Sequence, residues 1–412
     1  MKQFKKNWFR ATVNILLPLV FLFPILPLKV ASIILIVLLL VSLAGYFINR
    51  INTSLSPFPL PFYFTLSIPI LYLVFFFFSE IPKEAWFHFE KKMALIAVPL
   101  TFYFLSNQNL HIKRCDIFNA FSFSAIVLSI CSLLTFIYSL VFFTDINIEF
   151  SYLSRTMLEN LTGVHPTYFA LFTLTAALIN IYQISENNQS HYKKYRYLTI
   201  IVLLIGTILS GSRGPIFGFV IALLYLAYNQ FGLSKKAKIV ATLGLLALVL
   251  ALSQAPIIGV RIMGVVNLLK LNFGDLQATE TSLRVFVWGC DYVLIKEHWL
   301  RGVGTGEIQV YLDLCYNFFD QTTEQILGLN THNEFANIWL GTGLIGLLFF
   351  IGYFISHWRY FEYNWLGKAT LILFGIVCMT ENLLERQHGV FYAAFVLGVL
   401  VITSKSIASK EV

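Results

Sequence analysis

The stretch THNEFANIWLGTGLIG, residues 331–346, changes character within five positions. From Phe335 onward it is apolar enough to enter a membrane as a helix, while a histidine, an asparagine and a glutamate crowd its mouth. Thr331 and Glu334 have the spacing of a capping box, which predicts His332 in the first turn. The helix dipole there disfavours an imidazolium, so the ring stays neutral near pH 7. A neutral imidazole can take a proton from a hydroxyl, as a general base must. A plainer reading also fits, in which His332 only anchors the helix at the membrane interface. Asn333 is placed to orient a ligand or the ring, and Gly341, Gly343 and Gly346 suit close helix packing.

The rest of the chain explains why such a helix belongs in a bilayer. Of 412 residues, 58% are hydrophobic, 12% are charged and 40 are phenylalanine. A soluble domain has too little interior to hide that much apolar surface, whereas lipid can cover it. The apolar runs are continuous and reach the roughly 20 residues of a membrane helix; they do not alternate as barrel strands do. The expected fold is therefore all-α and polytopic, with about twelve spans at 11–28, 30–48, 59–79, 93–106, 117–143, 164–184, 197–211, 215–231, 239–257, 334–356, 369–381 and 388–404. With the N-terminus inside, inner loops and ends carry 17 of the 29 basic residues. Of the outer ones, five lie in a single long loop, where the positive-inside rule weakens. Both termini are thus expected in the cytoplasm. The net charge of +8 is an orientation signal that needs no nucleic acid.

The long outer loop, residues 258–333, interrupts a single membrane domain, with nine spans over residues 1–257 before it and three over residues 334–412 after it, and forms a helical outer cap on it. A structureless loop of that length is unusual, and this one is patterned. In TSLRVFVWGCDYVLIKEHW, Leu283, Phe286, Val287, Cys290, Val293 and Leu294 recur at helical spacing, with Ser282 as a cap and Arg284, Trp288 and Asp291 on another face. IIGVRIMGVVNLLKL reads as a shorter amphipathic piece at the membrane surface. Cys290 and Cys315 share the loop and can pair if the compartment is oxidising.

Charge is also lopsided. The spans carry almost no ionisable residue away from their ends, whereas ion-coupled transporters place such groups near the midplane. Six arginines lie outside: Arg155, Arg213, Arg261, Arg284, Arg301 and Arg386. In GSRGPIFG, residues 211–218, Ser212 can cap a helix whose first turn holds Arg213 and Pro215. Free amides, the dipole and a guanidinium make an anion site there, although an arginine snorkelling to the interface fits the same residues. Arg284 can hold a phosphate with its planar fork, or pair with Asp291 or Glu280. GVGTGE, residues 302–307, has no strand before it and reads as a tight turn, not a nucleotide loop. TENLLERQHG, residues 380–389, gathers Glu381, Glu385, Arg386 and His388 at a short outer turn, either as a solvated ion pair or as partners of His332. No cofactor motif and no metal-ligand spacing is present.

His332-Asn333, nine residues, Gly343, two residues, Gly346 resembles the signature of bacterial O-antigen ligases, in a superfamily shared with O-antigen polymerases. Ser212-Arg213-Gly214, Arg284 on a loop helix and the long outer loop fall where that family has them. The resemblance implies a GT-C-like, metal-independent, inverting glycosyltransferase of the inner membrane with its site on the periplasmic face. The implied donor is a glycan on undecaprenyl pyrophosphate and the implied acceptor is lipid A–core. By position, Arg213 and Arg284 would hold the pyrophosphate, His332 would activate the acceptor hydroxyl, and Glu381 or Glu385 would supply an acidic group. Asn333, Ser212, Arg301 and Arg386 are further binding candidates. The alternatives are a polymerase that extends lipid-linked glycan and, from a different class, a twelve-span transporter or flippase.

Overall fold

The computed structural model describes residues 2–49, 57–108, 113–142, 148–186, 190–229, 280–319 and 327–408, with Ser234, Lys236, Val240, Leu243 and Gly244. Every regular element among them is helical. Five helices are long and apolar enough to cross a membrane: Leu28–Phe47, Arg114–Val141, Pro166–Glu186, Glu334–Tyr360 and Gln387–Ser404. Four shorter apolar helices accompany them: Phe9–Val20, Leu60–Phe76, Arg213–Asn229 and Trp365–Cys378. The span expected at 239–257, nearly all of it, and the surface piece containing Arg261 lie outside the described residues.

The helix Pro166–Glu186 is the axis of the bundle. Its span is 89% buried, and hydroxyls on it meet hydroxyls of its neighbours, Thr173 with Thr207 and Thr175 with Tyr392, each at 2.7 Å. Such pairs satisfy polar groups where no water is available. The helix Leu28–Asn49 lies at the rim and presents Ile33, Ile36 and Leu40 outward, all more than half exposed. A contiguous apolar face of this kind is stable against lipid and costly against water. Prolines mark starts where first-turn amides have no partner to lose, as at Pro82–Lys91 and Pro166–Glu186.

A small helical cap sits on one end. The helix Glu280–His298, called α11 in chain order, packs against α12, Ile308–Phe319. Val287, Leu294, Leu312 and Tyr316 form its core, with Leu340 contributed by the next helix, and Cys290 is bonded to Cys315. Residues 302–307 lie in the connection between the two helices, the turn expected there. Glu307 ties this connection down: its Oε1 accepts from Ser79 Oγ (2.6 Å) and from the Ile81 amide (3.0 Å).

The helix α13, Glu334–Tyr360, is broken at Gly343, with φ 66° and ψ −164°. Close packing of small residues was the expectation there; the glycine also turns the chain. A Cβ on Gly343 would come 2.3 Å from the Leu300 carbonyl oxygen, and one on Gly302 would come 2.6 Å from the Gly343 nitrogen. The cap connection therefore touches the helix backbone to backbone. Val303 donates to the Leu340 carbonyl (2.7 Å) and Leu344 to the Leu300 carbonyl (3.3 Å), which uses polar groups freed by the break.

Candidate active site

The turn between Trp365–Cys378 and Gln387–Phe391 is the hub of the site. Its residues are held from several directions. The Asn382 side-chain oxygen accepts from Thr331 Oγ1 (2.9 Å) and from the Asn333 amide (2.7 Å). The Tyr168 hydroxyl donates to the Asn382 carbonyl (3.2 Å), and Glu334 Oε2 accepts from the Leu384 amide (2.7 Å). A Cβ on Gly214 would approach Thr380 Oγ1 to 2.5 Å, so the start of the Arg213 helix lies directly on this turn.

The capping-box expectation fails here. Asn333, not Thr331, is the N-cap, and its side-chain oxygen accepts from the amides of Phe335 and Ala336. Thr331 and Glu334 are instead drawn to the neighbouring turn, because both are fully buried and Asn382 and Leu384 offer partners there. His332 consequently precedes the helix instead of lying in its first turn. Its φ is 46°, the left-handed region that non-glycine residues rarely occupy. Tight anchoring on both sides, through Asn382 and through Asn330 Oδ1 to the His332 amide (3.1 Å), enforces that conformation.

The strained backbone aims the imidazole at Glu381. His332 Nδ1 lies 3.5 Å from Glu381 Oε1, and Arg284 Nη2 lies 3.9 Å from Oε2, so each carboxylate oxygen faces one of the two groups. Arg284 Nη1 also donates to the Thr380 carbonyl (3.4 Å). Burial pushes the Glu381 carboxyl upward, but the attraction of His332, Arg284 and His165 outweighs it and holds the group below the usual glutamate range. The pairing of Arg284 with Asp291 that helical spacing allows is replaced by this contact, while the alternative pairing with Glu280 rests on a side chain outside the described ones. Asp291 is left buried with both carboxylate oxygens unpartnered, and burial pushes it up to about 8.

Glu385, the other acidic candidate, belongs to a separate cluster. Its Oε1 accepts from Lys92 Nζ (2.8 Å) and Asn337 Nδ2 (3.1 Å), and its Oε2 lies 2.5 Å from His88 Nδ1. Burial opposes its ionisation, yet Lys92, His88 and Lys91 pull it well below the ordinary range. Arg386 is half exposed and pairs with Glu159 at 3.4 Å. Arg301 is exposed in the connection beside Gly343, nine to ten residues along α13 from the site. Ser212 is buried immediately before the Arg213 helix.

Four participants went unrecognised in the sequence. Asn382 and Thr380 carry no local motif and matter only through the Thr331 and Gly214 segments, 51 and 166 residues away. His165 falls at the very start of the span expected at 164–184 and lies just before the helix Pro166–Glu186, where burial lowers it while Glu381 raises it. Lys92 reads as one more outer lysine, but it is fully buried against Glu385.

Chemically, the arrangement offers an ionised carboxylate behind a histidine, with the ring's Nε2 left for a substrate and the Arg284 guanidinium alongside. Residues 198–351 match the family model described as O-antigen ligase. The matched region contains Ser212, Arg213, Arg284, Arg301, His332 and Asn333, and ends before Glu381 and Glu385. No curated protein matches the chain.

Proposed function

From the O-antigen ligase/polymerase superfamily as premise, supported by the match over residues 198–351, we propose that this chain is an O-antigen ligase-type glycosyltransferase. It transfers a glycan from undecaprenyl pyrophosphate to a sugar hydroxyl of lipid A–core, without a metal and with inversion. The reaction takes place on the periplasmic face of the inner membrane, with both termini cytoplasmic. The observation that carries this reading is the convergence of His332 and Arg284 on Glu381 from separate stretches of the chain.

Each group has a distinct task. The acceptor oxygen attacks the anomeric carbon as the bond from that carbon to the pyrophosphate oxygen breaks. The hydroxyl proton passes to His332 Nε2, and the bonding pair leaves with the pyrophosphate. Glu381 holds the ring through Nδ1 and stabilises the imidazolium that forms, as a carboxylate does behind a catalytic histidine. Arg213 and Arg284 neutralise charge that grows on the leaving group.

The test is transfer in vitro with purified protein, undecaprenyl-pyrophosphate glycan and lipid A–core. Removing an electrostatic stabiliser typically costs about 10²–10³ in rate, so Arg284→Ala and His332→Ala should lose at least that much while the protein still inserts and folds. Normal turnover in either variant removes that residue from the mechanism. Longer chains on undecaprenyl when donor is supplied alone would replace the ligase reading with a polymerase.

A further inference from the structure

A groove of about 830 Å³ runs between α11 and the first turns of α13. One wall carries Trp288, Asp291, Tyr292 and Trp299, and the other carries Asn333 and Trp339. Three of its aromatic rings are displayed, with Trp288 40%, Tyr292 69% and Trp299 49% exposed. Trp339 is oriented by donating from its indole nitrogen to the Trp299 carbonyl (2.8 Å). Asn333, the residue next to His332, is among the groove's lining residues, which places the groove beside the site.

Asp291 decides what the occupant is. It lines the groove, is only 3% exposed, and has no hydrogen-bond donor on either carboxylate oxygen. A buried unsatisfied carboxylate is costly and is removed cheaply by substitution. A hydrocarbon chain in the groove would leave both oxygens orphaned. A saccharide supplies hydroxyl donors for the carboxylate and C–H faces for the aromatic rings, the mix of apolar lining and few placed polar groups that fixes a small ligand.

We propose that this groove is the subsite that seats the acceptor saccharide, with Asp291 binding its hydroxyls and Trp288, Tyr292 and Trp339 packing on its sugar faces. The identity of the ligand as an acceptor rests on the glycosyltransferase reading; the groove's preference for a saccharide does not.

The two are separable because binding can be measured without transfer. The probe is the water-soluble core oligosaccharide freed of lipid A, titrated against the full-length protein in detergent by tryptophan fluorescence and calorimetry. Wild type should bind, whereas Asp291→Asn and Trp288→Ala should bind at least tenfold more weakly. Asp291→Asn should also unfold at the same or a higher temperature, since the carboxyl has no hydrogen-bond partner within the protein to lose; a purely structural aspartate would lower it. Unchanged affinity in both variants, no saccharide binding by wild type, or equal competition from a sugar-free polyprenyl phosphate would overturn the proposal. If saccharide binding depends on Asp291 but the wild type transfers nothing, the ligase reading fails and the subsite stands.

Discussion

Gly343 and His332 are the two residues of the signature whose backbone leaves the common regions, and for different reasons. Gly343 occupies a region essentially reserved for glycine, and its missing side chain lets the Leu300 carbonyl approach. Gly343→Ala should therefore cost about 1–3 kcal/mol in backbone strain before any clash is counted. A thermal melt in detergent checks it, and an unshifted midpoint would mean that the break is not needed. His332 has a side chain, and the grip of Asn382 and Asn330 offsets the strain of its φ of 46°. Residue type alone made the histidine a candidate base, but the reason offered for its neutrality, a place in the first turn, is lost. What sets its environment is Glu381, a residue 49 positions away.

At the scale of elements, α11 serves three partners at once. Val287, Cys290 and Leu294 fill the cap core, Arg284 reaches Glu381, and Trp288 with Tyr292 faces the groove. The helical period made these faces visible in advance, but not which charge each would meet. The short helix Pro82–Lys91 is fixed differently, through the Glu385 cluster. Lys92 is fully buried, so removing its carboxylate leaves an uncompensated charge, a loss of about 3–5 kcal/mol. Glu385→Gln should lower the unfolding midpoint accordingly, with Lys92→Met in the same chain restoring some of it. The sign with pH follows from the depressed folded pKa of Glu385. Its stabilisation is complete above the ordinary glutamate value of about 4.3 and is lost as pH falls through the lower folded value. The wild type should thus lose stability in acid more steeply than Glu385→Gln; parallel curves would contradict the cluster's role.

Across the whole molecule, loops assigned to the outer side by charge meet at one end. Ser79 touches Glu307, Lys92 touches Glu385, Arg386 touches Glu159 and Gly214 lies on Thr380. The Cys290–Cys315 bond in the cap fits the same side facing an oxidising compartment. Alkylation of the unfolded, unreduced protein should accordingly label Cys115, Cys131 and Cys378 alone, and all five cysteines after reduction. Five labels without reduction would place the cap in a reducing compartment.

The helical, membrane-bound character of the chain, the helical cap and the chemical types present at the site were legible in the residues alone, because hydrophobic period, run length and charge placement are local properties. Packing settled the rest: Glu381 faces His332 while Glu385 faces Lys92, Asn333 rather than Thr331 caps the helix, and Asp291 is left alone beside an aromatic groove. These outcomes depend on which partner lies nearest once segments about 50 to 300 residues apart are brought together, and no local pattern encodes that distance.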